Sequence, residues 1–548
     1  MKNINKFLAG TLCALTVVSC QDLDTEYLGG YVTTDQKGEV LEKNPDMALA
    51  GVTAIYSNYN QYGQVYDNHF DFGYPALMMG MDIQGMDFVG KNSGYNWMNE
   101  WESFSRANPQ GVPTSMMWYH VYKNLKVAND VIATINPETE NSQLKFYLAQ
   151  SLAMRAFGYF NLAQTYQFTY VGNESKPCVP IITDVNAEEA GTNGAPRATV
   201  QEVYDQIMAD LNTAVTLFEG TNLTPSQVID SKPKRMIDIA VAYGLRARVN
   251  LVMNKWSDAA ADAKKAIELF GGRPYTRAEV SRPAFSNIDD PSWMWGIAVA
   301  ETDRVVTTGI CNFPSFMGTF TGSGYSVYGA WKWCGKVLYD AIPSTDVRKG
   351  WFIDENYTSP NIDAQMQAFI NKYICPDPAK LTYGKDNSNY IMPYTQVKFA
   401  PYNNVVGGST NANDIPLMRI EEMHYIYAEA TAMGGNLAGA KSYLEEFVKT
   451  YRDPTFASAA SSAEDFQNEV WYQRRMEFWG EGLSYFDIMR LKKGIDRRGC
   501  LFPEAYTYDI PYGSDVMIYC IPEGEITANK MISQKDNNES GSQPKPVI

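Results

Sequence analysis

Histidine is almost missing from this chain: His69, His120 and His424 are the only three in 548 residues. With no His-Glu-x-x-His run among them, neither a histidine-held zinc nor a histidine acid–base couple is expected. A Gly-x-Ser-x-Gly elbow and a P-loop are absent too. Gly322-Ser323-Gly324 lacks both the third glycine and the strand-to-helix setting of a dinucleotide loop. No cofactor or metal is expected. Basic residues are the minority, 46 Lys and Arg against 62 Asp and Glu, and a formal charge of −16 excludes the basic footprint that phosphate backbones require. No nucleic-acid partner is expected either. Beyond the N-terminus no run of about twenty apolar residues offers a membrane span. Cysteine is sparse: Cys178, Cys311, Cys334, Cys375, Cys500 and Cys520 have no metal-type spacing and are too few for a disulfide framework, so mostly free thiols are expected.

What the chain has instead is aromatic side chains, 13% of residues with 36 Tyr and 11 Trp, in an otherwise globular composition. It also carries paired acids at Asp289-Asp290, Glu421-Glu422 and Glu445-Glu446. A glycosidase needs only two carboxyls about 5–10 Å apart, so these leave a surface glycoside hydrolase open. Adjacent acids on a helix read first as a solvated face.

Residues 1–19 read as a signal peptide, with Lys2 and Lys6 ahead of an apolar stretch too short to remain as a stable anchor. The run Val17-Val18-Ser19-Cys20 resembles the lipobox of bacterial lipoproteins, which implies lipidation at Cys20. Acyl chains add about 0.8 kcal/mol of membrane affinity per buried CH₂, so a multiply acylated cysteine holds a body to a membrane with no spanning helix. Residues 20–43 are then a lipidated tether. Its acids Asp22, Asp24 and Glu26 look like the surface-export signals of gut-type Gram-negative lipoproteins.

Helical periodicity is expected over 44–60, 116–135, 143–166, 200–218, 237–253, 256–270, 417–433 and 436–451. Small alanines at fixed intervals, as at Ala259, Ala263 and Ala266, let paired helices approach closely, and such pairs resemble tetratricopeptide units. The fold class is therefore mostly α: a tetratricopeptide-like helical repeat scaffold with long loop-rich insertions containing short strands. Residues 44–270 form an N-terminal repeat region interrupted by an aromatic loop at 61–110 with no sustained period. Residues 271–415 form a loop-rich insertion with one buried strand at 292–300. Residues 416–548 carry the last repeat and a C-terminal helix.

Within the insertion, 313–333 alternates seven aromatic residues with glycines. Rings on a glycine-rich loop can present a face to a ligand. Sugars offer apolar C–H faces to such rings and hydroxyl edges to polar side chains. Loop composition alone selects Tyr95, Trp97, Phe316, Tyr325, Tyr328 and Trp331 as the candidate ligand-binding residues.

Two further stretches carry a resemblance. Residues 414–430, with Pro416, Arg419, Glu422 and Tyr427-Ala428-Glu429-Ala430, look like the Pro-x-x-Arg-x-x-Glu helix of the SusD/RagB family. Residues 470–491 carry Arg474, Arg475, Glu477, Glu481, Gly482, Phe486, Asp487 and Arg490 in the order of that family's later signature. Residues 152–163 followed by 179–183, and 338–348, resemble further family segments. Ser484, Gln473 and His424 depart from the pattern, where arginine, glutamate and leucine are common. The matched residues Arg419, Glu422, Arg474, Arg475, Glu477, Asp487 and Arg490 are read as structural, because charges within an apolar helix must be paired. The three-residue spacing of Arg474 with Glu477 and of Asp487 with Arg490 suggests pairing within one helix face. The resemblance implies a lipid-anchored protein on the outer face of the outer membrane that is not an enzyme, captures oligosaccharide and delivers it to a SusC-like TonB-dependent transporter. A peptide-binding RagB-like role is the alternative.

Overall fold

The computed structural model describes residues 34–91, 95–105, 108–377, 381 and 389–547. Cys20 and the signal peptide lie outside the described residues. The longer helices are α1 (Thr34–Lys43), α2 (Asp46–Asn58), α3 (Tyr74–Ile83), α4 (Val112–Thr134), α5 (Ser142–Tyr166), α6 (Val200–Thr221), α7 (Ile239–Val252), α8 (Trp256–Leu269), α9 (Ile420–Met433), α10 (Leu437–Tyr451), α11 (Ala463–Glu477) and α12 (Ser484–Arg490). Their starts are set by polar caps. Asn141 accepts from the Gln143 and Leu144 amides, Asp238 from Val241, and Thr199 with Glu202 closes a capping box on α6.

Successive helices pack as layers: α4 on α5, α5 on α6, α7 on α8, α8 on α9, and α9 on both α10 and α11. Ala259, Ala263 and Ala266 on α8 are fully buried, and their small side chains allow α8 to lie between α7 and α9. The mostly α repeat scaffold expected from periodicity is what forms. The main hydrophobic core runs from Leu41 to Ile532 and takes in residues of the repeats, the insertion and the C-terminal segment, with smaller cores around Phe447 and around Phe320. The last ten residues of the segment read as a tether are α1, which lies on α4 and buries Leu41.

Two expectations change. The segment 61–110 is not all loop, because it holds α3, every residue of which is buried. At 10 residues, with no polar face, this helix is too short to establish a helical period. Burying its Leu77, Met78, Met79, Met81 and Ile83 contributes roughly 1.5–3 kcal/mol each. The helix expected over 417–433 opens instead as a strand, β4 (Ile415–Arg419), which pairs antiparallel with β2 (Trp293–Ile297) before α9 begins at Ile420. Pro416 has no amide to donate to a helix, and the β2 ladder supplies partners that a helical turn there would lack. Two other short pairs complete the strands: β1 (Phe88–Gly90) with β3 (Lys332–Cys334), and β5 (Ile495–Asp496) with β6 (Asp509–Ile510).

The charged stretch at 470–490 is not one helix, since α11 ends at Glu477 and α12 starts at Ser484, and the two act as a brace through partners that differ in part from those the spacing suggests. Glu477 faces Arg452 at 2.7 Å, Arg419 at 3.0 Å and Arg348 at 3.4 Å, all four side chains wholly buried. Those three guanidinium groups overcome the burial penalty and hold its carboxyl far below the usual range. Arg474 bonds Asp487 at 2.7 Å instead of Glu477, and Arg475 grips Asp87 at 2.6 Å and 2.7 Å. The pairing of Asp487 with Arg490 forms as expected, at 2.7 Å. Where the family pattern is broken the network adapts: the Gln473 Oε1 accepts from Arg348 at 2.5 Å, and the Ser484 amide donates to Asp82 at 3.2 Å. All six described cysteines are buried free thiols.

Candidate functional site

The β1–β3 pair builds the site. Its register sets Gly90 opposite Lys332 and Phe88 opposite Cys334, which brings the loop after β1 against the loop before β3. Tyr95 and Trp97 stand on the first loop, Tyr325 and Tyr328 on the second. Between them Asn96 is buried, donating to the Glu102 carboxylate at 3.0 Å and lying 3.5 Å from the Lys332 ammonium. Burial pushes Glu102 up to about 7 and Lys332 down to about 8. Gly90 leaves the room this anchor needs, since a Cβ there would sit 2.8 Å from Asn96 Nδ2.

The second loop is fastened to the short helix Phe313–Met317. The Tyr325 amide donates to Ser315 Oγ at 3.0 Å, and Ser326 Oγ donates to the Ser315 carbonyl at 3.1 Å. Gly324 permits that approach: its φ is 147°, and a Cβ would lie 2.6 Å from Ser315 Cα. A third loop, 63–71, adds His69. It folds around the buried Asp71 carboxylate, which accepts from the Val65 amide at 2.7 Å and the Tyr66 amide at 2.8 Å and whose pKa burial raises. His69 Nδ1 is hydrogen-bonded to the Tyr325 hydroxyl.

Tyr325 is the hub of the resulting cluster. Its ring lies 4.9 Å from Phe316, 5.8 Å from His69, 5.8 Å from Tyr95 and 6.2 Å from Trp97. Tyr95 lies 6.2 Å from Tyr328, and His69 lies 4.9 Å from Trp97. Burial moves the Tyr325 phenol up to about 12, so it stays protonated at neutral pH. The Trp97 indole N–H is close enough to the Tyr325 hydroxyl to oppose that shift slightly, yet no acceptor meets it with good hydrogen-bond geometry. Tyr95 and Tyr328 are 48% and 51% exposed, whereas Tyr325 is 4% exposed, so the first two offer ring faces and the third supports them. Exposed aromatic faces beside half-exposed polar edges suit a ligand with apolar faces and a hydroxyl rim.

Five of the six residues chosen from composition therefore gather in one place, Tyr95, Trp97, Tyr325 and Tyr328 with Phe316 beneath them. Phe316 and Trp331 do not face outward. Phe316 is fully buried, stacked on Phe72 at 5.2 Å beneath Tyr325. Trp331 is 1% exposed, packs on Tyr373 at 5.4 Å within a small core containing Phe320 and Ile353, and donates its indole N–H to the Asn389 carbonyl at 3.1 Å. Of the seven aromatics in 313–333, six are buried and only Tyr328 is exposed, because those glycines serve close packing more than display. His69 was not selected, and its place in an aromatic loop was the one available signal.

Four of the six paired acids have structural partners, while Asp289 and Glu446 are exposed. Glu421 meets Arg419 at 3.1 Å and Arg452 at 2.9 Å, and Glu422 meets Arg248 at 2.5 Å, all inside the core and not on a solvated face. Asp290 accepts from the Tyr275 hydroxyl, and Glu445 pairs with Lys449 at 3.1 Å.

Two family models match this chain: one described as starch-binding associating with outer membrane, over residues 44–251, and one for the SusD family, over residues 351–542. No curated relative matches it in sequence. Among solved structures it is similar to a SusD-like carbohydrate binding protein from Bacteroides vulgatus, with 24% identity, 92% of this chain and 98% of that chain covered and a TM-score of 0.69. It is similar to a surface glycan-binding protein A from Bacteroides thetaiotaomicron, solved in complex with laminarihexaose, with 18% identity, coverage of 90% and 99% and a TM-score of 0.62. A laminarin binding SusD-like protein shares 19% identity over 90% and 98% of the two chains, at a TM-score of 0.60. These likenesses establish a shared fold, and the two family models together take in both the N-terminal repeats and the signature helix. The chain belongs to the SusD/RagB family.

Proposed function

We propose that this protein is a cell-surface glycan-binding lipoprotein that captures oligosaccharide on the surface formed by His69, Tyr95, Trp97, Tyr325 and Tyr328 and delivers it to a SusC-like TonB-dependent transporter. The observation that carries the reading is the pair of exposed rings, Tyr95 and Tyr328, presented side by side by two loops and buttressed from below by Tyr325. Ring faces so placed stack on sugar C–H faces, and binding of this kind is weak per contact, which suits release after capture. Two family relatives of the same fold carry laminarin or laminarihexaose in their descriptions, which supports a glycan over a peptide. The protein makes and breaks no bond in this reading.

Anchoring follows from the lipobox-like run ending at Cys20 and from outer-membrane association in one family description. No helix among the described residues is long and apolar enough to cross a membrane, so lipid at Cys20 would be the attachment. The test is electrophoresis of the full mature chain through gels containing candidate polysaccharides. Retarded migration supports capture, whereas shorter products released from the polysaccharide would replace this reading with a hydrolase.

A further inference from the structure

A cavity of about 460 Å³ opens between α2, the strand β2 and the segments around 232–235 and 300–304. That is the size range of small-molecule sites. It is separate from the aromatic surface but adjoins it through Tyr62. The Arg304 guanidinium at the cavity wall lies 5.0 Å over the Tyr62 ring, and Tyr62 is near enough to Tyr325 to influence the ionisation of its phenol.

Its charged groups divide into two sets. The acids are answered within the protein: Glu301 accepts from the Tyr402 hydroxyl at 2.9 Å, and Asp303 accepts from Asn60 Nδ2 at 3.1 Å and the Ala300 amide at 2.9 Å. Lys232 is answered too, by Asp414 at 2.6 Å and the Val299 carbonyl at 2.8 Å. The two arginines are not. Arg235, half-buried, is carried to the cavity by the single turn Pro233–Arg235 after Lys232, which holds a left-handed backbone with φ of 49°. Arg304 is exposed and lies over the Tyr62 ring, and among the described residues neither the Arg235 nor the Arg304 side chain forms an ion pair or a hydrogen bond. Two unanswered guanidinium forks in one cavity match a planar carboxylate or a sulfate.

We infer that this cavity is a second subsite that takes an anionic substituent, a carboxylate or a sulfate, of the captured glycan, with Arg235 and Arg304 as its ligands. This rests on the glycan-binding reading for the class of ligand, but the cavity's preference for anions is measurable without the aromatic surface. A neutral glycan would leave both guanidinium groups to water, so charged sugars are the preferred cargo.

Saturation-transfer NMR on the full mature chain tests this with glucose, glucuronate and glucose 6-sulfate as probes. Transfer to glucuronate or glucose 6-sulfate at least about twofold stronger than to glucose is expected, in line with the usual advantage of charge-assisted bonds, and whichever probe responds identifies the anion. The Arg235→Gln, Arg304→Gln double variant should abolish that preference with an unchanged melting temperature, since neither side chain holds the fold together. The Tyr95→Ala, Tyr328→Ala double variant should retain it. Equal transfer to all three probes, or a preference that survives loss of both arginines, overturns the inference while leaving the aromatic surface untouched. An acetylated dipeptide that binds through its terminal carboxylate more strongly than either charged sugar overturns the glycan assignment of the cavity. Loss of gel retardation on every polysaccharide, with the anion preference intact, sinks the glycan reading and confines the cavity to free anions, which also overturns the inference.

Discussion

The rings of Tyr95 and Tyr328 lie 6.2 Å apart although they belong to different insertions, one following β1 and the other preceding β3. Pairing of those two strands is what makes them neighbours, and Tyr325 lies 5.8 Å from Tyr95 to support the edge they share. The aromatic surface proposed to bind glycan is thus a product of sheet register, and several outcomes follow from how it is held.

Removing either exposed ring weakens glycan binding and leaves the fold alone. Tyr95→Ala and Tyr328→Ala should each lower affinity by about 0.5–1.5 kcal/mol, a few-fold to about tenfold. Thermal unfolding should move little, as for most exposed positions. Trp331→Ala should do the reverse: about 3–5 kcal/mol less stable, because a buried indole leaves a cavity, with binding retained by the protein that remains folded. Affinity electrophoresis and thermal melts on the three variants separate the two behaviours.

Gly90→Ala reaches the same surface from behind. The new methyl would stand 2.8 Å from Asn96 Nδ2 and 3.1 Å from Ile83 Cδ1, both in the interior. Asn96 must give way, and the loop carrying Tyr95 and Trp97 shifts with it. A loss of about 1–3 kcal/mol in stability is expected together with weakened glycan retention. Full retention would show that the Asn96 anchor does not position the rings.

The brace is tested at Glu477. Changing it to Gln leaves Arg348, Arg419 and Arg452 buried without their shared carboxylate, which should cost about 3–5 kcal/mol in denaturant unfolding. Since Glu477 lies away from the aromatic surface, glycan affinity of the folded fraction should not change.

Acid stability is tested at His424, which bonds Tyr443 at 2.6 Å and stacks on Phe447 at 4.5 Å. Burial, with a smaller contribution from Arg452, lowers its pKa from 6.5 to about 4. A group depressed on folding contributes stability that is present above its unfolded value and lost as the pH falls through the folded one, here between 6.5 and about 4. His424→Leu, the residue common in the family at that place, should therefore lose less stability between pH 7 and pH 4 than the parent, by on the order of 2 kcal/mol. Melts at a series of pH values measure it.

Attachment is tested at the N-terminus. Cys20→Ala removes the acylation site, and the protein should leave the membrane fraction for the soluble one. Persistence with membranes would place the anchor elsewhere.

The helical layers were legible because their periods run long, as in the 25-residue helix Ser142–Tyr166, which is buried almost throughout, or because alanines such as Ala259 and Ala263 recur at helical spacing. The buried helix Tyr74–Ile83 spans only 10 residues between turns, too few to establish a period. The strand at Ile415–Arg419 was hidden for a related reason: its partner lies in the distant segment Trp293–Ile297, and local periodicity carries no record of it. Pairing of Arg474 with Glu477 was read from spacing, yet both find partners beyond their own helix, since long side chains in a core reach the charges that tertiary packing brings. At the candidate site, ring-and-glycine composition selected two loops whose Tyr95 and Tyr328 the fold brings together. It could not distinguish Tyr328, exposed, from Trp331, three residues on and buried, because exposure is decided by the fold around the loop. Arg235 and Arg304, which form no ion pair among the described residues, carried no sequence signal at all, since lacking such a partner is a property of three dimensions.

The central claim is that oligosaccharide lies on the rings of Tyr95 and Tyr328. A crystal structure of the mature chain with an oligosaccharide that retards it in the gel tests this directly. Sugar rings stacked on those two side chains, at the separations usual for ring stacking, are the result expected. Sugar bound elsewhere, with both rings left to solvent, would contradict the account.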